Sequence, residues 1–176
     1  KQLADAGRSG LGTIVVQSAG NGYGLGDDAN LHNFQNSRYV ITVAGTDYRG
    51  NVTPYNSPGA SILVAAPGGG GGDPSSVIWT TDRAGALGYS DGNFTSILGS
   101  SFSAPIVSGV VALMLQANPS LGYRDVQQIL AYSAHLTSVQ DNSWRYNGAG
   151  NWNGGGLHFD AEHHDLGFGL VDARAA

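Results

Sequence analysis

The chain has 176 residues, 41% of them hydrophobic and 28 of them glycine, which is enough for one folded domain with a core and argues against disorder. The formal net charge is −5 and the eight basic residues are scattered, so no basic surface for nucleic acid is predicted. Cysteine is absent, which excludes disulfides, thiolate zinc sites and thiol catalysis.

The abrupt start of the chain at Lys1 suggests a piece of a longer protein. No signal peptide is visible, and residues 1–7 predict a helix at the very start. The longest apolar run, residues 106–116, is too short for a membrane span and contains Ser108, Gly109 and Gln116. We therefore expect no membrane span in this chain.

Three β-branched runs, residues 13–20, 39–45 and 62–66, lack polar alternation. Such runs are typical of buried strands in a parallel sheet. The first follows the predicted N-terminal helix, as in one half of a βαβ unit. An α/β fold is therefore predicted.

The rest of the chain alternates loops with two stronger helical signals. Residues 68–72 form a glycine-rich loop, and residues 76–82 and 93–98 predict a hairpin. Residues 106–116 are apolar on nearly every side and predict a buried helix that stops before Pro119. Residues 123–133 predict an amphipathic helix that packs on the core.

Ser101 stands at the start of the apolar helix, and its neighbours give it two interpretations. Locally, a serine at a helix start is an N-cap. The longer string Gly99-Ser-Ser-Phe-Ser-Ala-Pro105 and the apolar run behind it resemble the nucleophile signature of subtilisin-like serine proteases, with Ser100 where threonine is usual. That resemblance implies that Ser101 is the nucleophile and that Pro105 lies in the first helical turn.

The resemblance extends over essentially the whole chain and is strongest to the kexin/furin-like branch. It implies a three-layer α/β fold with a mostly parallel sheet and a buried helix headed by the nucleophile serine. Residues 1–176 would then be the C-terminal part of a subtilisin-like catalytic domain. The turn at residues 55–60 and the segment 118–127 carry part of the likeness, as does the end of the chain.

Ser18-Ala-Gly-Asn-Gly22 follows the first predicted strand, at the strand end where α/β sheets bind ligands. The Asn-Gly pair alone indicates an ordinary turn. By resemblance, Asn21 donates a hydrogen bond to the oxyanion, and Ser18, Ala19 and Gly20 line the pocket for the substrate residue before the cut bond.

The loop after Asn21 contains Asp27 and Asp28, which are either solvated loop acids or ligands of calcium. By resemblance, Asp27 is a calcium ligand near the specificity pocket. His32 and Ser57 replace two acids that the convertase branch has there, so cleavage after paired basic residues is not expected. His32 is nonetheless assigned to substrate binding.

The C-terminal tail clusters six side chains that could ligate a metal, but it has no helical histidine pair, and a hydrogen-bonded surface loop is the favoured interpretation. The cluster consists of His158, Asp160, Glu162, His163, His164 and Asp165.

A serine nucleophile needs a base, and the family orders its triad Asp, His, Ser. His32 is the only histidine before Ser101 and lies in the substrate loop. The resemblance therefore implies a secreted bacterial serine endopeptidase acting on protein or peptide substrates, whose histidine and aspartate belong to an upstream half of the domain. This piece alone is expected to be inactive. The alternatives are a catalytically dead subtilase-fold module and a calcium-dependent adhesive module.

Overall fold

The structure is a computed structural model that describes residues 1–70, 75–137, 144–146, 158–161 and 163–176. Short 3₁₀ turns at Gly7–Gly10, Tyr23–Leu25 and Ala29–Leu31 connect some of its elements. The helices and strands, in chain order, are α1 (Gln2–Ala6), β1 (Val15–Ser18), β2 (Val40–Thr46), β3 (Ile62–Pro67), β4 (Ile78–Thr81), β5 (Phe94–Ile97), α2 (Ser100–Ala117), α3 (Tyr123–Ser133), β6 (Trp144–Tyr146) and β7 (His158–Asp160).

The three predicted strands form one parallel sheet in the order β1-β2-β3. Ser18 pairs with Val43 and Thr46 pairs with Pro67, so the strands end along a common edge. Every residue of β2 is buried, as expected for a central strand. β1 is only half-buried, contrary to the prediction, because within the described residues it has a neighbouring strand on one side only.

The predicted hairpin is confirmed, since β4 and β5 pair antiparallel from Ile78–Ile97 to Thr81–Phe94. One of its faces is exposed and includes Trp79 and Phe94. β6 and β7 form a second antiparallel pair, which the sequence did not indicate. The hairpin leads the chain directly into α2.

α2 packs on the sheet with one face only, although the sequence predicted burial all round. Ile106 is 40% exposed and Leu113 is 57% exposed on its other face. The helix is apolar on both sides, yet the described sheet covers only one. The core that α2 shares with the sheet and α3 contains Ile41, Val43, Val64, Ala66, Val107, Val110, Val111, Met114, Val126, Leu130 and Ala134.

By length and hydropathy alone, α2 would qualify as a membrane span, with a mean hydropathy of 1.5 over 18 residues. It is the only such helix in the described part of the chain. The packing of Val107, Val111 and Met114 against the sheet accounts for its apolar character as that of a core helix.

α3 has the bounds that the sequence predicted and contributes Val126 and Leu130 to the same core as α2. A second core cluster lies on the opposite sheet face, where Ala29 and Leu166 of irregular segments join Ala44 of the central strand. The helices therefore pack on one face of the sheet and the irregular segments on the other. Neither described layer covers the carboxyl edge of the sheet, where a site can form.

Candidate active site

The carboxyl edge of the sheet brings three chain segments together. The N–H of Gly68, just after β3, donates to the carbonyl of Thr46 at the end of β2 (2.8 Å). The N–H of Gly99 in turn donates to the carbonyl of Gly68 (2.8 Å). The start of α2 is thus tied to the same edge from which the loop after β1 departs.

Gly99 is the N-cap of α2 and has a φ of 143°, a conformation that favours glycine. A Cβ on this residue would lie 3.2 Å from Asn21 Nδ2, so the site also needs its small size. Ser101 is the second residue of the helix and therefore not the N-cap. It is exposed, and its hydroxyl makes no hydrogen bond within the described part of the chain.

Pro105 lies in the second turn of α2, not in the first turn as the sequence indicated. The helix begins at Ser100, one residue before the proposed nucleophile, which moves the proline further inside. Because proline has no N–H, the carbonyl of Ser101 lacks its usual donor four residues on.

The loop after β1 places the Asn21 side chain against the start of α2. Asn21 Oδ1 accepts from the backbone N–H of Ser100 (2.9 Å) and lies 2.8 Å from Ser100 Oγ, which can also donate to the carbonyl of Gly20 (3.1 Å). With Oδ1 engaged, Asn21 Nδ2 has no partner among the described residues and lies on the side of Gly99. Asn21 is exposed and adjoins Ser101 across Ser100.

The three residues before Asn21 differ in what they can touch. Ala19 is fully buried, and its N–H donates to the carbonyl of Val43 (2.8 Å). Ser18 is half-buried at the end of β1. Gly20 has a φ of 125°, and a Cβ there would lie 2.7 Å from Ser57 Oγ. Gly20 and Ser18 can face a ligand in part, whereas the side chain of Ala19 faces the core.

Asp27, His32 and Ser57 form a hydrogen-bonded cluster beside Gly20. Asp27 Oδ2 accepts from Ser57 Oγ (2.7 Å), and Asp27 Oδ1 lies 2.7 Å from His32 Nε2. The bond from Ser57, followed by the bond from His32, lowers the pKa of Asp27 below its usual value. The aspartate lies between the other two residues and the histidine does not bind the serine hydroxyl, so this cluster is not a nucleophile–base pair.

The surroundings of Asp27 do not fit calcium, which takes six to eight oxygen ligands. Both carboxylate oxygens of Asp27 already have hydrogen-bond partners, one of them a nitrogen. Oδ1 of the neighbouring Asp28 accepts from the N–H of Asn30 (2.7 Å). Among the described residues, no group of three or more His, Cys, Asp or Glu side chains could hold a metal. Calcium at Asp27 thus stays a prediction of the family resemblance, one that these contacts argue against.

Two backbone N–H groups of the tail cluster donate to Asp160. Its carboxylate accepts from the N–H groups of His163 (3.4 Å) and Asp165 (2.9 Å). Burial, and then the nearby Asp160 carboxylate, raise the pKa of Asp165 to about 6. Glu162 lies outside the described residues. His158 instead contacts the rings of Trp144 and Tyr146.

Two residues that position the site were not identified from the sequence. In the sequence, Ser100 is only a departure from a motif, whereas in the structure its hydroxyl and N–H hold Asn21. Asn56 was read as part of a turn, yet its Oδ1 accepts from the N–H of Gly45 (2.8 Å) and its Nδ2 donates to the carbonyl of Asp165 (3.2 Å). A single serine or asparagine beside a motif gives no sequence signal for such contacts.

The model of the subtilase family of peptidases matches residues 1–165 of this chain. The chain belongs to the subtilase family. This subtilase is 36% identical over 169 residues to the rat proprotein convertase subtilisin/kexin type 6, and 31% identical over 169 residues to furin-1 of Xenopus laevis. Each match covers 96% of this chain but only 16% and 20%, respectively, of the relative.

Solved structures give the same family fold. A protease of Pseudoalteromonas arctica superposes with a TM-score of 0.72 at 28% identity, over 98% of this chain and 44% of the other. The serine protease of Aeromonas sobria superposes with a TM-score of 0.78, over 94% of this chain and 36% of the other. At 22% identity, the second likeness concerns the fold alone. The subtilisin-like fold expected from the sequence is confirmed.

Proposed function

We propose that this subtilase, in its full-length form, is a serine endopeptidase with Ser101 as nucleophile and Asn21 as oxyanion donor. The observation that carries the proposal is the pair of hydrogen bonds from Ser100 to Asn21 Oδ1, at 2.8 and 2.9 Å. Among the described residues they leave the amide NH₂ of Asn21 without a partner, next to an exposed serine at a helix start. Backbone N–H groups and the positive end of the helix dipole also favour negative charge there.

In the proposed reaction, Ser101 Oγ forms a bond to the carbonyl carbon of the substrate, and the carbonyl π electrons move to its oxygen. The Ser101 backbone N–H and Asn21 Nδ2 donate to that oxyanion. The serine proton passes to a base and then to the leaving nitrogen as the C–N bond breaks. Water then hydrolyses the acyl-enzyme with the same base.

The base and its orienting acid are proposed to come from the upstream half of the domain. Among the described residues no histidine binds Ser101, and His32 is engaged with Asp27. The exposed apolar face of α2, with Ile106 and Leu113, supports packing against further protein. On this proposal the piece described here does not turn over substrate by itself.

The substrates are proposed to be proteins or peptides, and secretion remains a prediction from family resemblance. The relatives come from a mammal and a frog as well as from bacteria, so a bacterial source also remains a prediction. Paired basic residues are not expected before the cut bond, because His32 and Ser57 bring no negative charge to the Asp27 cluster.

A fluorophosphonate probe tests the nucleophile. The full-length protein should be labelled and should cleave a casein substrate, whereas the Ser101→Ala variant should do neither. The matched control Ser108→Ala lies on the exposed face of the same helix and should be labelled like the native protein. Equal labelling of the native protein and the Ser101→Ala variant would remove Ser101 from the mechanism.

The second candidate is a non-catalytic subtilase-fold module. It is favoured by the Ser101 hydroxyl, which has no hydrogen-bonded base within the described residues. The sequence upstream discriminates between the two: an aspartate at a strand end and a His-Gly helix start favour the enzyme, and their absence favours the module. A full-length protein that resists labelling would also favour the module.

A further inference from the structure

We propose that Ser57 is a positioning residue that holds the loop carrying Asn21 in its catalytic geometry; this rests on the proposed peptidase function. Ser57 is fully buried and lies 36 positions after Asn21 in the sequence. Ser57 makes hydrogen bonds to the peptide units on both sides of Asn21. Because Ser57 is fully buried, its effect on the reaction is exerted through Asn21.

The two contacts flank Asn21. The N–H of Ser57 donates to the carbonyl of Gly20 (3.1 Å), and the N–H of Gly22 donates to Ser57 Oγ (3.0 Å). One residue therefore fixes the loop immediately before and immediately after the asparagine. The side chain of Asn21 projects from the backbone between these two hydrogen bonds.

Asp27 orients the Ser57 hydroxyl. A hydroxyl has one hydrogen, and Ser57 donates it to Asp27 Oδ2 (2.7 Å), so its lone pairs face the Gly22 N–H. Asp27 also packs tightly on the loop: a Cβ at Gly22 would lie 2.7 Å from Asp27 Cβ. The Asp27 carboxylate therefore fixes the Ser57 hydroxyl, and that hydroxyl binds the loop directly at Gly22.

The segment that carries Ser57 is itself rigidly placed. The preceding residue, Asn56, is buried and binds the N–H of Gly45 at the end of β2 through Oδ1 (2.8 Å). Its Nδ2 donates to the carbonyl of Asp165 (3.2 Å). The Asn21 loop is thus held by Ser57 on one side and by Ser100 on the other. Removing either support should let the asparagine move.

Because Asn21 acts on the transition state more than on the bound substrate, a displaced Asn21 lowers kcat with little change in KM. In the full-length protein, Ser57→Ala should lower kcat about tenfold. The matched control is Ser61→Ala, four residues on, whose buried hydroxyl has no partner in the described part of the chain. Its kcat should equal that of the native protein.

A double-mutant cycle separates positioning from a general structural effect. If Ser57 acts through Asn21, Ser57→Ala should lower kcat in the native background and cause no further loss in an Asn21→Ala background. Equal losses in both backgrounds, or no loss in either, would overturn the proposal. If Ser57→Ala does not fold, Asp27→Ala at the partly exposed end of the same pair gives the same test.

Hydrogen exchange provides a readout that needs no activity. The amides of Gly20 to Gly22 should exchange faster in Ser57→Ala than in Ser61→Ala, and equal rates would overturn the positioning role. A full-length protein that lacks Ser101-dependent labelling while showing this faster exchange would refute the proposed peptidase and retain the loop support. The two failures are therefore distinguishable.

Discussion

Asn21 has one half of its amide engaged and the other half open, which makes it the side chain whose loss is easiest to predict. Asn21→Ala in the full-length protein should lower kcat on the order of 10²–10³-fold, the cost of removing an oxyanion donor in subtilisin, with little change in KM. Peptide-hydrolysis kinetics measure both constants. Asn36→Ala, in the exposed loop nearby, is the control. A variant with native kcat would remove Asn21 from the oxyanion site.

The carboxylate of Asp27 leads to a prediction about calcium. Because its two oxygens are occupied by Ser57 and His32, any rise in melting temperature that calcium causes in the full-length protein should persist in Asp27→Ala. The double variant His32→Asp, Ser57→Glu offers three carboxylates and should gain a further calcium-dependent rise of several degrees. A calcium response that disappears in Asp27→Ala would place the ion at this residue.

At the residue scale, the sequence indicated the candidate site residues, but it did not indicate the residues that position them. Ser101 and Asn21 could be found because each lies in a long, specific string. The supports Ser57, Ser100 and Asn56 each act through two or more hydrogen bonds to residues distant in the sequence. No local pattern encodes such contacts, since they depend on how the strands align.

Among the elements, the start of α2 places the strictest limits on its sequence, because Gly99 has a positive φ and little space for a side chain. Gly99→Ala should cost about 1–3 kcal/mol of unfolding free energy, because its φ of 143° disfavours a side chain and its Cβ would meet Asn21 at 3.2 Å. Activity should fall with it. Chemical denaturation of the full-length protein measures the first effect and peptide hydrolysis the second.

Gly109, in the middle of the same helix, is the matched glycine. Beyond the adjacent backbone of α2, no described residue lies within 4 Å of its Cβ position, so Gly109→Ala should stabilise α2 by about 0.5–1 kcal/mol. If both alanine variants behaved alike, the special backbone at Gly99 would not be what constrains the site.

The elements themselves were largely predictable. Three parallel strands, the hairpin and both long helices follow from β-branched runs, turn residues and helical spacing. The misses have physical causes. The burial of β1 and α2 was overestimated. An apolar pattern indicates that a face favours burial, but it does not show whether the described residues include a neighbour that covers that face. Pro105 was misplaced by one helical turn because the helix begins at Ser100.

For the molecule as a whole, Asp165 should make stability depend on pH. Its pKa is raised to about 6, so between about pH 4 and 6 the folded state retains a proton that the unfolded chain has lost. Stability therefore falls as the pH rises through this window. Asp165→Asn should add about 1–2 kcal/mol at pH 7, discounted for partial exposure, and almost nothing at pH 4.

Urea unfolding of the full-length protein at the two pH values measures this effect, with the exposed Asp91→Asn as control. A gain that is equal at pH 4 and pH 7 would show that charge at Asp165 is not the cause. The fold class and the closeness of Asp160 and Asp165 could be predicted from the sequence, but the burial that raises the pKa of Asp165 could not, because it depends on tertiary packing.

The most direct test of the central claim is a crystal structure of the full-length protein with a peptide boronic acid. The account predicts a bond from Ser101 Oγ to boron, with one boronate oxygen about 2.7–3.1 Å from both Asn21 Nδ2 and the Ser101 N–H. A Ser101 adduct whose oxygens all face away from Asn21, or boron bound to another residue, would contradict it.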